Sequence, residues 1–498
     1  MGGRAVSIGV CAVLAAVFAG AAAASPNVGF ADDATKFADD GGAQLFDQLK
    51  GAGAVENRVA VYWDPADPGT IQEQDFLDRM LPVAAARGVR IVFSVYPKGA
   101  GTFSTDTDNR IAQFAAYLKL LAQTYPQVRT YVVLNEPNEA YFWAPQHDAN
   151  GVIISAPIAE RVLAAGYDAL KSVDPSITVA GLGISPAAND QNSTSPVRFV
   201  DALGRAYRAS GRKAPLMDEL DLHIYPDNAK GQDDGTHYAW PQIGPGDLSR
   251  IKQAVWDAFA GTGQPVIQEP GASGPFLKLR IGEVGWQVGV LPALQTEYTG
   301  DENVQVTDEA RQAAIYSAVV KEYGCDPSVT AVDFFHLIDD RELVHYQSGL
   351  LRIDGTARPA YAAVKSAIAA PCPKQKPWRH ATIVLAASAS LDTGGQPLGT
   401  GDLKLTLAAG EDVDVTVAIL RVNGPISPGQ ADRALAGTAR GMTVIGSGKT
   451  FIKGGDRIPV SFSGTLIPGT YVVAVRMTAS MNSRRWTTAV SAPFTIGG

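Results

Sequence analysis

Tyr131-Val132-Val133-Leu134-Asn135-Glu136-Pro137-Asn138-Glu139 is a short apolar run that stops on amides and carboxylates. β-Branched and aromatic residues suit a pleated, buried surface, and Pro137 ends the run because it cannot donate to a strand ladder. The same texture returns at Leu279-Arg280-Ile281-Gly282-Glu283-Val284-Gly285-Trp286. Working outward, strand candidates fall at 28–31, 58–63, 89–96, 129–134, 177–182, 220–225, 279–284 and 329–337. Most are nearly continuous hydrophobic runs, as expected of strands covered on both faces. Between them lie helix candidates at 71–87, 111–124, 158–172, 196–209, 248–259 and 308–323. In the first of these, Phe76, Met80, Leu81 and Ala84 have the three-and-four spacing of a buried stripe. Strand–helix alternation repeated eight times over residues 25–370 predicts an α/β fold, a (β/α)8 TIM barrel.

The texture changes at Pro371-Cys372-Pro373-Lys374-Gln375-Lys376-Pro377, which reads as a linker over 371–378. Beyond it, alternating runs at 381–387, 403–407, 413–422, 442–444, 457–462, 471–477 and 486–496 show no helical periodicity. Turns such as Thr393-Gly394-Gly395 and Pro468-Gly469 separate them. This predicts an all-β, immunoglobulin-like sandwich over 379–498.

At the other end, Arg4 precedes an apolar run over 8–24 that closes on Ala22-Ala23-Ala24. The pattern is that of a secretory signal peptide over 1–24, cleaved near Ala24, with an uncleaved anchor as the alternative. Without that segment the chain keeps Cys325 and Cys372, which form either one disulfide or two buried thiols. The full sequence, with 46% hydrophobic and 18% charged residues, reads as a soluble globular chain, expected after removal of the leader to be a monomer without a membrane span. A net charge of −8 disfavours nucleic acid and anionic lipid as partners and is compatible with a neutral substrate. No His-Glu-x-x-His, paired Cys-x-x-Cys, nucleophile elbow or phosphate loop stands in the barrel, so no metal or cofactor is expected. Asp339-Asp340 is a candidate cation site whose default is an exposed acidic pair, and Asn192-Ser193-Thr194 is a glycosylation sequon.

In such a barrel the chemistry sits at the C-terminal ends of the strands. Glu136 ends the fourth run and Glu283 the seventh. Two facing carboxylates are what glycosidic cleavage requires, one donating a proton and the other attacking or activating water. The alternative for a single Glu is a solvated surface charge. Glu139, three residues further on, ranks second as the acid.

With Asn135-Glu136-Pro137 after strand four and Glu283 after strand seven, the chain resembles the retaining glycoside hydrolases of clan A, families 5 and 39 among them. The resemblance covers about 27–370. It implies hydrolysis of an oligo- or polysaccharide, with Glu136 as acid/base, Glu283 as nucleophile and Asn135 on the sugar 2-hydroxyl. It also implies that Arg58 steadies the nucleophile and that His223 and Tyr225 end strand six on the site. The alternatives are an arginine at the barrel bottom, a structural histidine and a core tyrosine. Trp63, Tyr96, Tyr141, Phe142, Trp143 and Trp286 near the strand ends are candidates for stacking on sugar, with core packing as the alternative for each. The clan's tryptophan at the end of strand eight is absent, and Phe335 or His336 takes its place. The stretch 227–246, with His237, Tyr238 and Trp240, reads as a lid. A non-catalytic carbohydrate-binding protein on the same barrel is the competing reading.

Overall fold

A computed structural model describes residues 26–227, 237–392, 403–439, 441–462 and 466–496. The leader expected over 1–24 and the turn at Thr393-Gly394-Gly395 lie outside the described residues. The first half runs β1 (Val28–Ala31), α1 (Ala34–Phe37), α2 (Ala43–Gly51), β2 (Glu56–Trp63), α3 (Gln74–Ala86), β3 (Arg90–Pro97), α4 (Thr107–Thr124), β4 (Thr130–Val133) and α5 (Ser155–Val173). It continues with β5 (Thr178–Ile184), α6 (Pro196–Ser210), β6 (Glu219–His223), α7 (Leu248–Phe259), β7 (Lys278–Val284), α8 (Glu309–Glu322), β8 (Val329–Phe334) and α9 (Pro359–Ala369). The eight strands pair in sequence order, all parallel, and β8 closes on β1 with Phe334 opposite Phe30. The predicted TIM barrel is therefore present. Its strands stop earlier than the apolar runs at 220–225 and 329–337, because the chain leaves the ladder where the rim begins.

Most of the apolar core lies between strands and helices, as in Phe93, Val133 and Leu182 against Leu77, Leu118 and Leu163. One helix face needs correction. Leu77 joins Met80, Leu81 and Ala84 on the buried side of α3, whereas Phe76 is 36% exposed and meets Phe37 at the surface. The barrel interior holds one small apolar layer, Val92, Val132 and Ala180. Around it stand charged groups: buried Arg280 meets Glu56 at 2.5 Å, Glu219 at 3.0 Å and Asp333 at 3.0 Å. A planar guanidinium with five donors can serve three acids at once, so the buried cation is paired and not stranded. Burial, reinforced by Glu56, pushes the Asp333 carboxyl well above the ordinary range.

Cys325 and Cys372 form a disulfide with Cα atoms 5.5 Å apart, which decides between the two alternatives left by the sequence. The second half comprises β9 (Ser388–Asp392), β10 (Leu403–Ala408), β11 (Val413–Arg421), α10 (Pro428–Leu435), β12 (Thr443–Ile452), β13 (Arg457–Phe462), β14 (Gly469–Ala479), β15 (Trp486–Val490) and β16 (Phe494–Ile496). Sheet β13-β10-β9 faces sheet β12-β11-β14-β15, with β16 also on β14, all antiparallel. Leu405, Leu407, Val415, Val417, Val473 and Val475 fill the space between them. Two expectations fail here. The run at 381–387 is irregular and the first strand begins at Ser388. Residues expected to hold strands alone also hold α10, which Ser427 and Gln430 close with a capping box and which covers Ala418, Leu420, Val472 and Ala474.

The sandwich sits on α6 and α7. Buried Arg485 reaches Asp257 of α7 at 2.7 Å and Glu411 of the sandwich at 2.5 Å, and Arg198 of α6 meets Asp412 at 3.1 Å. The His380 ring stacks on Trp256 at 4.0 Å. Among the described residues no helix is long and apolar enough to cross a membrane.

Candidate active site

Backbone irregularities aim the two acids. On β4 the chain leaves the ladder through Leu134 and Glu136, both with positive φ (75° and 43°). Non-glycine residues adopt that region at a cost of roughly 1 kcal/mol or more, which is characteristic of functional sites. The Glu136 N–H donates to the Gly183 carbonyl at 2.9 Å, fixing the turn against β5. Gly183 has φ 49°, and a Cβ there would lie 3.0 Å from the His223 ring, so that position suits glycine on both counts. On β7, Arg280 and Gly282 face the barrel interior, and strict alternation would turn Glu283 outward. The pairing register shifts between Leu222 and His223 on one side and between Ile281 and Val284 on the other. That bulge swings Glu283 to the inside.

A single network results. Arg58 Nη1 donates to Glu283 Oε1 at 2.7 Å, and its Nη2 donates to Asn135 Oδ1 at 2.9 Å. The Tyr225 hydroxyl donates to Glu283 Oε2 at 2.7 Å. His223 Nδ1 lies 2.7 Å from Glu136 Oε1 and 3.3 Å from Glu283 Oε2, while its Nε2 lies 3.3 Å from Arg58 Nη2. Only an unprotonated Nε2 can accept from a guanidinium, so these contacts assign His223 the tautomer with its proton on Nδ1. Burial opposes the charged imidazole and the carboxylates Glu283 and Glu136 favour it, raising the ring above its ordinary value. The Arg58 contact at Nε2 nevertheless makes the neutral ring the form that satisfies every neighbour.

For Glu283, burial alone would favour the neutral acid. Positive charge on the His223 ring, when it takes up a proton, and on the Arg58 guanidinium acts against it, as do the hydrogen bonds donated by Tyr225 and Arg58, and together they hold the carboxyl below its usual range. Glu283 is thus an ionised, oriented carboxylate. Glu136 has fewer donors, with the His223 ring as its hydrogen-bond partner. One ligand-type atom each from Glu136, His223 and Glu283 lies within 4.8 Å of the others, a spacing that would admit a metal ion. Arg58 already supplies the positive charge at that point, so the cluster reads as a charge-compensated carboxylate pair.

Arg58, Asn135, Glu136, His223, Tyr225 and Glu283 come together, and Arg58 reaches the site from the interior face of β2. Glu139 turns to Ser193 and Ser185, and burial raises its carboxyl. Three expected sugar contacts are corrected: Trp63, Trp143 and Trp286 are 0%, 3% and 0% exposed. Trp63 packs on Phe114, Trp143 on Phe103 and Trp286 near Tyr316, so none offers a ring to solvent. The reason for Trp63 is parity: Arg58 and Tyr62 share one face of β2, and Trp63 takes the other.

The exposed edges of the rim are instead Tyr62, Tyr96 and Phe142 on one side and Tyr225, Phe335 and Tyr346 on the other. Tyr141 is open to solvent. At strand eight Phe335 lies against Tyr225, and half-buried His336 lies beside Asp32, its Nδ1 buried without a partner. Asp339 is not an exposed acid but is buried against Arg358 at 2.6 Å. Of the stretch read as a lid, 228–236 lies outside the described residues. Tyr238 donates to the Tyr225 carbonyl at 3.3 Å, His237 lies on Asp247, and Trp240 sits under Arg198 on the side facing the sandwich. The sequence reading missed Tyr62, Asp221 and Tyr346. Two-residue alternation from Arg58 and His223 points to the first two; nothing in the loop marks Tyr346.

No protein-family model and no curated protein matches the chain. Solved structures similar to it include a family 39 glycoside hydrolase from the gut symbiont Bacteroides cellulosilyticus WH2, at 15% identity and TM-score 0.47, covering 82% of this chain and 74% of that one. A monomeric beta-xylosidase from Caulobacter crescentus CB15 is similar at 14% identity and TM-score 0.45, covering 92% and 98%. A family 5 hydrolase, GH5_18 from Streptomyces cattleya in complex with GlcNAc, is similar at 18% and 0.45, covering 73% and 84%.

Proposed function

We propose that the chain is a retaining O-glycosidase, with Glu283 as nucleophile and Glu136 as acid/base. The observation that carries this is the spacing: a carboxylate oxygen of Glu136 and one of Glu283 lie within 4.8 Å. Retaining enzymes hold their carboxyls about 5–5.5 Å apart and inverting enzymes about 6.5–9.5 Å, the wider gap making room for a water. The unlike surroundings support the division of roles, since Arg58 and Tyr225 both donate to Glu283 whereas Glu136 has, among the described residues, only the His223 ring.

In the first step Glu283 Oε attacks the anomeric carbon. The bond to the leaving oxygen breaks, its electron pair stays on that oxygen, and the oxygen takes the Glu136 proton. In the second, Glu136 takes a proton from water, the water oxygen bonds the anomeric carbon, and Glu283 leaves as carboxylate. Asn135 has its oxygen engaged by Arg58, which leaves the amide N–H to donate to the 2-hydroxyl oxygen. The half-buried rings of Tyr62, Tyr96, Phe142 and Phe335 are the faces on which sugar would stack.

A panel of nitrophenyl glycosides and polysaccharides, followed by proton NMR of the first-formed anomer, tests the reading. Turnover with the anomeric configuration kept is expected. Inverted product would assign the other mechanism, and failure to cleave any substrate would favour the carbohydrate-binding reading. The leader over 1–24 belongs to the same proposal and makes the enzyme a secreted one. Protein recovered from the medium is expected to begin at Ser25, and an intact N-terminus there would remove that part.

A further inference from the structure

Beneath the site, one buried acid is used by nothing described so far. Asp221 of β6 is fully buried, and neither of its carboxyl oxygens has a hydrogen-bond partner. The Arg58 Nε is likewise buried and unpartnered, and Asp221 Oδ2 lies 3.8 Å from it. Two complementary orphans side by side are unusual, because an unpaired buried polar group costs roughly 1–3 kcal/mol. The fold also reserves space for this carboxyl. A Cβ on Gly282 would lie 2.2 Å and 2.5 Å from the two Asp221 oxygens, so no larger residue on β7 leaves room for it.

We propose that Asp221 is the positioning residue of the site, holding the Nε edge of Arg58 so that its terminal nitrogens present to Glu283 and Asn135. The guanidinium is planar and rigid, so fixing one edge fixes the direction of the other two nitrogens. Without that hold, the side chain can rotate about its last bonds while staying buried. The inference rests on the glycosidase reading for its kinetic consequence, though not for its geometry. The charged groups facing Asp221 are Arg58 on β2, His223 on its own strand, Arg280 and Glu283 on β7, and Asp333 on β8.

Those neighbours give the test a sign. If Asp221 acts on Glu283 only by charge, Asp221→Asn removes a negative neighbour and moves the acid limb of kcat/KM to lower pH, or leaves it in place if Asp221 is already neutral. If Asp221 positions Arg58, the variant weakens the Arg58–Glu283 bond, raises the Glu283 pKa and moves the acid limb to higher pH. We expect the upward shift, together with a fall in kcat of about 10- to 100-fold and a KM changed less than about threefold. Crystal structures of Asp221→Asn and of Asp221→Ser are expected to show Arg58 Nη1 outside hydrogen-bond distance of Glu283. An unmoved arginine, or an acid limb that stays or falls, overturns the proposal. So does loss of the cooperative thermal transition in both variants, which would make Asp221 a residue of the fold alone. If wild type cleaves no glycoside, the functional reading fails, and the position of Arg58 in the variant structures still decides this one.

Discussion

Replacing Glu283 by alanine is expected to lower turnover about 10^4-fold or more, roughly 5.5 kcal/mol of transition-state stabilisation, without altering the fold. The loss is large because in the proposed mechanism this residue forms the covalent bond. Arg58, Tyr225 and His223 all converge on it, so their alignment has no purpose once the carboxylate is gone. The expected loss at Glu136→Ala is smaller, about 10^2- to 10^4-fold, and depends on the leaving group. A good leaving group such as nitrophenolate needs little proton donation, so for such substrates the first step survives and the glycosyl-enzyme accumulates. Azide separates the two roles. Added to Glu283→Ala it can enter the space of the lost carboxylate and attack the sugar directly, giving a glycosyl azide of inverted configuration. Added to Glu136→Ala it can attack the glycosyl-enzyme from the opposite face and give the retained azide. Interchanged products would exchange the assignments, and wild-type turnover in either variant would remove the residue from the mechanism.

The largest effect on stability is expected at the seam between the two halves. Arg485 is buried between Asp257 and Glu411 and also donates to the Ile383 carbonyl. Arg485→Ala leaves two buried carboxylates without their cation, and breaking such a pair costs about 3–5 kcal/mol. Burial opposes the charged guanidinium, but hydrogen bonds to Glu411 and the charge of Asp257 more than compensate, so Arg485 remains cationic throughout the accessible pH range. Calorimetry is expected to show the transition of the sandwich moving down and separating from that of the barrel. A melting profile superimposable on wild type would mean that the triad contributes specificity of docking and little stability.

The parts of the molecule that were legible in its sequence share a physical cause. Apolar runs ending in Glu136 and Glu283 announce a barrel rim because a strand covered on both faces is apolar along most of its length. Arg58, His223 and Tyr225 came from the resemblance, with a barrel-bottom arginine, a structural histidine and a core tyrosine as their alternatives, and the structure places all three at the site. The tryptophans failed because nearness to a strand end along the chain does not specify a face; Trp63 lies one residue from Tyr62 and points the opposite way. The charged interior was hidden for a related reason. Single residues such as Glu56, Asp221, Arg280 and Asp333 look like interruptions in hydrophobic runs, and only the closed topology shows that they meet. The bulge that turns Glu283 inward has no sequence signal at all. The short α10 did have one, Ser427-Pro428 with Gln430 three residues after the cap, but the surrounding alternation outweighed it.

The bond between Cys325 and Cys372 also sets how the molecule bears force. Cys325 precedes β8, and Cys372 follows α9 at the root of the segment leading to the sandwich. Tension applied along the backbone at Cys372 therefore has a covalent route to Cys325 and on toward α8 that bypasses the intervening chain, beside the contacts of the sandwich with α6 and α7. The strand that closes the barrel on β1, and with it Phe335 and His336 at the rim, lies off that covalent route. In the proposed glycosidase, held by its C-terminal end, the rim residues of that segment would stay off the covalent line of load for as long as the crosslink stays oxidised.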